Sequence, residues 1–260
     1  HRRGLKVTGH LCSIGYREAA EIGIDNLEHG LLPDSEFVPG KQPDKCPARV
    51  DESLLKLDIK SPEAQETIKT LVARNVAVTS TLPVFEAGAP LTQTGIGAAR
   101  ALMNPRMLNT MSTDARVRYL TSRARVPANS PYAALVRKSM DFERAFVQAG
   151  GLLIAGLDPT GNGGIVAGFG DLREVELLVE AGFTPVEAIK IASFNGAKFL
   201  GEDASIGSIA VGKKADLMVV KGDPSKNIND IENVEIVFKD GVGYDSDKLI
   251  QSVQGLVGIR

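Results

Sequence analysis

The feature that most constrains the fold is the stretch at residues 151–159, where two glycines open an apolar run that ends at a carboxylate. Residues 153–155 show no polar alternation, which is typical of a strand covered on both faces. Asp158 stands where this strand would end, and Pro159 turns the chain away. In α/β barrels, catalytic groups collect at the carboxyl ends of the strands. Asp158 is therefore a candidate for chemistry, and the alternative is an aspartate that only begins a turn.

Two histidines occupy equivalent places in the first part of the chain. Residues 6–9 form a short β-branched run that ends at His10, and a helix with Ser13 as its predicted N-cap leads to a second strand that ends at His29. A strand–helix–strand unit puts both carboxyl ends on one rim, so we expect the two imidazoles to face the same side. The alternative for each histidine alone is a structural hydrogen bond.

The α/β pattern continues to about residue 200 and then changes. We predict an irregular and functional loop over residues 31–60, helices in the segments 61–75, 95–149, 171–182 and 184–201, and a third strand at 76–82. Beyond residue 201 the pattern predicts strands at 207–210, 216–220 and 234–238, which are too few for a stable sheet on their own.

Composition narrows the class of protein. The chain has 260 residues, 43% of them hydrophobic, and a formal net charge of −2. It can bury a large core, and without a basic run we expect no nucleic-acid partner and no membrane partner. Cys12 and Cys46 could pair, but two cysteines in such a length are more often buried small apolar residues.

Together, His10, His29 and Asp158 offer two nitrogen ligands and one oxygen ligand. A catalytic zinc site takes three protein ligands of these types and keeps one position for water. Such an ion supplies hydroxide near neutral pH, and a carboxylate next to it can act as the general base.

The sequence resembles the amidohydrolase superfamily, in particular its imidazolonepropionase-like and prolidase-like branch. The matching segments are residues 7–10 (VTGH), 25–30 (DNLEHG), 156–158 (GLD), 180–188 (EAGFTPVEA) and 206–217 (IGSIAVGKKADL). The resemblance implies an α/β fold: the C-terminal half of a TIM-like (β/α)8 barrel over residues 1–200, followed by part of a small β-sandwich over 201–260.

By position, the resemblance assigns His10 to barrel strand five, His29 to strand six and Asp158 to strand eight. It implies one or two divalent ions, with zinc as the first candidate. All three residues are then metal ligands, and Asp158 is also the catalytic base. In single-metal members, the counterpart of His29 contacts substrate instead. Gly-Leu-Asp-Pro-Thr departs from the Gly-Thr-Asp that is usual in the family at strand eight.

Strands one to four, with their His-x-His pair and lysine, have no counterpart in this sequence. We therefore expect a missing N-terminal half or a homo-oligomer to complete the barrel, and we expect the chain alone to be inactive. Any targeting segment would lie upstream, so the compartment stays open, with the cytoplasm slightly favoured.

The glycine-rich segment at residues 161–164 lacks the Lys-Ser/Thr of a phosphate-binding loop. We interpret it as a substrate loop, with Thr160 and Gly161, together with His29, as the substrate-binding residues.

The sequence thus predicts a metal-dependent hydrolase of carbon–nitrogen bonds, acting on a small amide or a dipeptide. One alternative is a non-catalytic half-barrel with a structural or binding role. Another is a metal-free hydrolase that uses Ser13 or Cys12 as its nucleophile.

Overall fold

The computed structural model describes residues 4–159 and 165–258. The chain divides into two compact units: the first comprises His1–Leu82 and Ala134–Gly156, and the second comprises Pro83–Ala133 and Leu157–Arg260. The domain boundary predicted after residue 200 stays a prediction.

The helices and strands alternate in the first part of the chain. The α-helices are α1 Tyr16–Ile22, α2 Val50–Lys56, α3 Pro62–Ala73, α4 Leu82–Glu86, α5 Ala99–Leu102, α6 Pro105–Thr110, α7 Thr113–Ala124, α8 Tyr132–Gln148, α9 Phe169–Glu180, α10 Pro185–Lys190, α11 Gly196–Leu200 and α12 Ser246–Ser252. The strands are β1 Thr8–Gly9, β2 Asn26–Glu28, β3 Ala77–Ser80, β4 Leu153–Ala155, β5 Leu217–Val220, β6 Val234–Lys239 and β7 Val242–Asp245.

The first unit is built on a four-stranded parallel sheet with the order β1-β2-β3-β4. The register places Gly9 beside Leu27, Leu27 beside Val78, and Val78 beside Leu153. Consecutive strands are thus neighbours, as in a segment of a (β/α)8 barrel. The partial barrel predicted from the sequence is confirmed.

Helix α8 supplies much of the core of this unit. Leu135, Met140, Phe142 and Phe146 are completely buried, as their helical spacing predicts for a helix packed on a barrel. The two phenylalanine rings stack with their centres 6.5 Å apart. A Cβ at Gly151 would collide with the ring of Phe146, so this position needs glycine to let the chain enter β4.

Two local predictions about the first unit are wrong. Helix α1 follows Gly15 rather than Ser13 and has no side-chain cap, because the chain passes so close to Glu36 that a Cβ at residue 15 would collide with it. The loop predicted over 31–60 contains helix α2. Asp51 and Glu52 lie in its first turn, where their negative charges interact favourably with the positive end of the helix dipole.

The cysteines do not behave as buried apolar residues. Cys12 and Cys46 form a disulfide across 34 positions of sequence, Cys12 is half-buried and Cys46 is exposed. The disulfide fastens the segment after β2 to the segment after β1. The Ser35 hydroxyl, which donates to the carbonyl of Cys12, and Lys41 Nζ, which donates to the carbonyl of Ser13 at 2.6 Å, reinforce this attachment.

The second unit is mainly helical and carries a three-stranded antiparallel sheet with the order β5-β6-β7. One part of its core is formed by Met107, Leu108, Met111, Tyr119 and Val166.

Thr184 followed by Glu187 three residues later is the sequence pattern of a capping box, and the structure forms it. The Thr184 hydroxyl accepts from the backbone N–H of Glu187 at 3.3 Å, and Glu187 Oε2 accepts from the N–H of Thr184 at 2.8 Å. The strand predicted at 207–210 is wrong. This segment pairs with no neighbour in the described structure, and the side chain of Ile209 is 88% exposed. No helix in the described ranges is both long enough and apolar enough to cross a bilayer.

Candidate functional site

The structure brings the two predicted histidines together. His10 follows β1 and His29 follows β2, and these strands are parallel neighbours. The centres of the two imidazole rings lie 4.8 Å apart, with their planes at 66°. His10 is exposed, whereas His29 is 8% exposed. One residue is therefore accessible to solvent at the strand ends, and the other is buried.

The spacing of these rings can be compared with what one metal ion requires. Two imidazoles that bind a tetrahedral zinc ion at about 2.1 Å have their ring centres about 5 Å apart. The observed 4.8 Å fits this geometry, and neutral imidazole is an accepted zinc ligand. Within residues 4–159 and 165–258, however, no three His, Cys, Asp or Glu side chains are grouped so that they could hold an ion. The described part of the chain thus brings two imidazoles together, which is fewer than the three protein ligands of a catalytic zinc site.

The backbone at His29 has an unusual conformation. Its φ is 73°, in the left-handed region that favours glycine, and Gly30 follows with a φ of 59°. The turn is fixed from both sides, because the N–H of Gly30 donates to the carbonyl of Thr79 at 2.9 Å and the hydroxyl of Tyr16 donates to the carbonyl of Gly30 at 2.7 Å. Non-glycine residues held in this region are found where the surrounding structure determines the conformation, often at functional sites.

The ring of His29 has a direct partner that the sequence analysis missed. Nδ1 of His29 lies 2.8 Å from Oγ1 of Thr81, which is 3% exposed and comes directly after β3. A polar residue at the carboxyl end of the third strand is the same signal that identified the two histidines. It could have been recognised in the sequence Thr-Ser-Thr at 79–81.

A buried carboxyl group lies behind these strand ends. Glu143 of α8 is completely buried, Ser80 Oγ donates to its Oε2 at 2.9 Å, and Ser139 Oγ donates to its Oε1 at 3.1 Å. The backbone N–H of Leu31 donates to Ser139 Oγ at 3.2 Å. Burial raises the pKa of the Glu143 carboxyl to about 7, and the two hydroxyl hydrogen bonds lower it less than burial raises it. A Cβ at Gly30 would collide with this network.

A second group of polar side chains forms hydrogen bonds between strands β1, β2 and β3. Asn26 of β2 is 2% exposed and its Nδ2 lies within hydrogen-bond distance of oxygens of Thr8 at 2.9 Å, Glu28 at 2.9 Å and Thr79 at 2.7 Å. The Thr8 hydroxyl also donates to Glu28. This layer is polar where barrel interiors are dominated by branched apolar side chains, and the sequence analysis did not identify it.

Of the remaining predicted residues, the structure describes Asp158. Asp158 is half-buried, follows β4 by three residues and has a φ of 52°, so its backbone is also left-handed. Its roles as metal ligand and base stay predictions, as do the ligand roles of His10 and His29. Thr160 and Gly161 lie outside the described residues.

The disulfide bears on one of the alternatives. The sulfur of Cys12 is bonded to Cys46 and is therefore not a free thiol, whereas a nucleophilic cysteine acts as its thiolate. The metal-free alternative that used Cys12 has no support in this structure.

Comparison with known proteins identifies the family. The model of the amidohydrolase family matches residues 1–243. The chain is similar to a solved bottromycin amidohydrolase, with 20% identity, a TM-score of 0.60, and coverage of 97% of this chain and 54% of that one. A putative prolidase from Bifidobacterium longum gives 23% identity, a TM-score of 0.55, and coverage of 97% and 51%.

A Xaa-Pro dipeptidase with bound methionine gives 22% identity and a TM-score of 0.54, and the match covers 94% of this chain and 46% of the dipeptidase. No curated protein matches the sequence. The chain therefore spans about half the length of the solved structures that it resembles, and at these identities they establish the fold alone. The family model covers nearly the whole sequence, and on that basis the chain belongs to the amidohydrolase family.

Proposed function

We propose that this chain carries part of the active site of a metal-dependent hydrolase of carbon–nitrogen bonds, with a small amide or a dipeptide as substrate. The observation that supports the proposal most is the 4.8 Å separation of the His10 and His29 rings at adjacent strand ends, in a chain of the amidohydrolase family. A dipeptidase and a putative prolidase among the solved neighbours support the substrate class.

In this proposal, His10 and His29 would hold a divalent ion, for which zinc is the first candidate, and Asp158 would be a further ligand. When bound, such an ion lowers the pKa of water to about 7 and supplies hydroxide at neutral pH. Asp158 accepts the proton from the attacking water and delivers it to the leaving nitrogen, which would otherwise depart as an unstable anion. Thr160 and Gly161 contact the substrate.

The missing ligands are proposed to come from outside this chain, from an N-terminal half or from a second copy. The exposed edge of the parallel sheet supports this part of the proposal. Leu5 is 70% exposed and Val7 is 45% exposed, and both precede the edge strand β1. Apolar side chains at an open sheet edge favour pairing with further strands.

Zinc binding by the isolated chain tests the proposal. We expect isothermal titration to show one zinc ion per chain, and either His10→Ala or His29→Ala to weaken binding by at least about ten-fold, since each removes a ligand. His1→Ala, which removes the third histidine of the sequence, is the matched control and should bind zinc as the wild type does.

Equal zinc affinity in the wild type, His10→Ala and His29→Ala would contradict the proposal. That result would favour the second candidate, a half-barrel with a structural or binding role. The incomplete ligand set among the described residues is the observation that supports this candidate.

A further inference from the structure

We infer that the Cys12–Cys46 disulfide is a thiol–disulfide exchange site, at which a dithiol releases residues 38–49 from the first unit without unfolding that unit. Cys46 is exposed and Cys12 is half-buried, so the bridge lies at the surface of the unit. Exposed disulfides are the labile ones, and they include regulatory bridges. This exchange does not require the proposed metal site.

The segment that the bridge controls is the outer part of the connection between β2 and α2. Residues 38–49 contain no helix or strand, and most of them are exposed. Two described contacts attach this segment to the chain that follows β1: the bridge at Cys46, and Lys41 Nζ, which donates to the carbonyl of Ser13 at 2.6 Å. A segment with so little burial depends on such attachments for its order.

The residues just before this segment are held by contacts that involve no sulfur. Glu36 Oε2 accepts from the backbone N–H of Arg17 at 2.9 Å, and Glu36 Oε1 accepts from Nε of Arg17 at 3.1 Å. The Thr67 hydroxyl of α3 also donates to Glu36, and the hydroxyl of Ser35, which is completely buried, donates to the carbonyl of Cys12. Reduction of the bridge therefore leaves this part of the chain attached to α1.

Both ends of the released segment are fixed in the same way. At its start, Phe37 is buried and its carbonyl accepts from the Ser53 hydroxyl of α2. At its end, α2 begins at Val50 and places Leu54 completely inside the unit. Reduction thus converts residues 38–49 from a cross-linked segment into a loop that stays closed at both ends.

The reaction is a two-electron reduction of the bridge by a dithiol. A thiolate of the dithiol attacks Sγ of Cys46, the more exposed residue, and the bond between Cys12 and Cys46 breaks as a mixed disulfide forms. Cys12 leaves as a thiolate and takes up a proton from solvent, to which the dithiol has lost one. The second thiol of the dithiol then displaces Cys46, which also becomes a thiol, and the dithiol becomes a disulfide.

The surrounding structure favours the return of the bridge. The Cα atoms of Cys12 and Cys46 lie 4.8 Å apart in the oxidised protein. After reduction both cysteines stay in the same folded unit, so closing the short loop again costs little entropy. Oxidised glutathione supplies the oxidant: Cys46 forms a mixed disulfide with one glutathione and releases the other, and Cys12 then displaces the bound one.

Hydrogen–deuterium exchange with mass spectrometry tests the site in the native chain without added metal. Dithiothreitol without denaturant should yield two free thiols per chain, where the untreated protein has none. Exchange in peptides from residues 38–49 should then become at least about ten-fold faster. At short exchange times, peptides from α1 and from residues 31–36 should keep their rates. Oxidised glutathione should restore the slow exchange.

Two variants serve as matched controls. The double variant Cys12→Ser/Cys46→Ser has no bridge, so residues 38–49 should exchange fast both with and without dithiothreitol. Lys41→Met removes the ammonium group that binds the Ser13 carbonyl but keeps the bridge, and it should exchange as slowly as the untreated wild type. Fast exchange in Lys41→Met with an intact bridge would show that Lys41, and not the disulfide, holds the segment.

Three further results would overturn the inference. The first is a bridge that dithiothreitol does not reduce unless denaturant is present. The second is a reduced protein whose exchange at residues 38–49 is unchanged. The third is faster exchange that extends through α1 and β2, because the bridge would then be a structural cross-link whose loss unfolds the unit.

Discussion

The two compact units bury carboxylates in opposite ways. In the first unit, Glu143 is completely buried and accepts hydrogen bonds from two hydroxyl groups, and burial raises its pKa to about 7. In the second unit, Glu176 is 1% exposed but accepts from Arg100 at 2.7 Å and from Arg173 at 2.8 Å, and its pKa is lowered despite burial.

The difference shows that burial alone does not determine the charge of a buried acid. Arg173 also makes a bidentate ion pair with Glu86, with distances of 3.0 and 2.7 Å, which adds two charge-assisted hydrogen bonds to the network. In the described part of the first unit, the hydrogen-bond donors to Glu143 are the hydroxyl groups of Ser80 and Ser139, and the Cys12–Cys46 disulfide is an additional constraint. One unit is thus stabilised by a charge network, and the other by a neutral network and a covalent link.

The largest effect is expected from Arg173→Met. Arg173 is 4% exposed, and its loss leaves Glu86 and Glu176 buried without their main cation, which we expect to lower the free energy of unfolding by up to about 5 kcal/mol. Urea titration measures this difference. Arg49→Met is the control, since Arg49 pairs with Glu52 on the surface, and it should have no measurable effect. Equal destabilisation by both substitutions would contradict the importance of the buried network.

The disulfide is expected to contribute somewhat less. Replacing Cys12 and Cys46 together by serine removes a cross-link that closes 34 positions of sequence, and the unfolded chain gains entropy equivalent to about 4 kcal/mol. Thermal unfolding of this double variant should match that of the wild-type chain treated with dithiothreitol. A double variant as stable as the untreated wild type would show that the first unit does not depend on the link.

Glu143→Gln is expected to have the smallest effect, and the effect depends on pH. The folded pKa of about 7 lies above the value of about 4.3 in an unfolded chain, so the folded state binds more protons between these two values. Wild-type stability therefore falls as pH rises from about 4.5 to 7, by on the order of 3 kcal/mol for a completely buried group.

In Glu143→Gln this fall should be absent, and the variant should be the more stable protein at pH 8 by thermal melts. Glu52→Gln removes an exposed carboxyl group and should keep the wild-type dependence on pH. A Glu143→Gln variant with the wild-type dependence would mean that the carboxyl is ionised in both states, as in the second unit.

Local sequence signals were enough to predict the strands and helices of the first unit, and the resemblance to the amidohydrolase superfamily implied that they form part of a barrel. The alternation of short apolar runs and helices placed His10 and His29 at the carboxyl ends of successive strands, which are neighbours in the structure. The capping box at Thr184 was predictable because its partners are three residues apart. Patterns of this kind depend on neighbouring residues, and a single sequence contains them.

The rest depends on residues that are distant in sequence. Thr81 lies 52 positions from His29, and Ser80 lies 63 positions from Glu143, so no local pattern connects them. The sequence likewise left open whether Cys12 and Cys46 pair, because two cysteines in a chain of this length are more often buried small apolar residues. The segment 207–210 has the composition of a strand, but a strand also needs a neighbour to receive its hydrogen bonds, and the described structure provides none there.

At His29 the left-handed conformation of the main chain favours glycine, whereas the proposed role of this residue requires an imidazole side chain. At a φ of 73° glycine is the residue with the lowest conformational energy, and holding another residue there costs on the order of 1–3 kcal/mol. A search for substitutions that increase melting temperature would be drawn to glycine at this position, and accepting it would discard the imidazole. Thermostability is therefore a misleading criterion for improving this protein, because the substitution it favours here removes a residue of the proposed site.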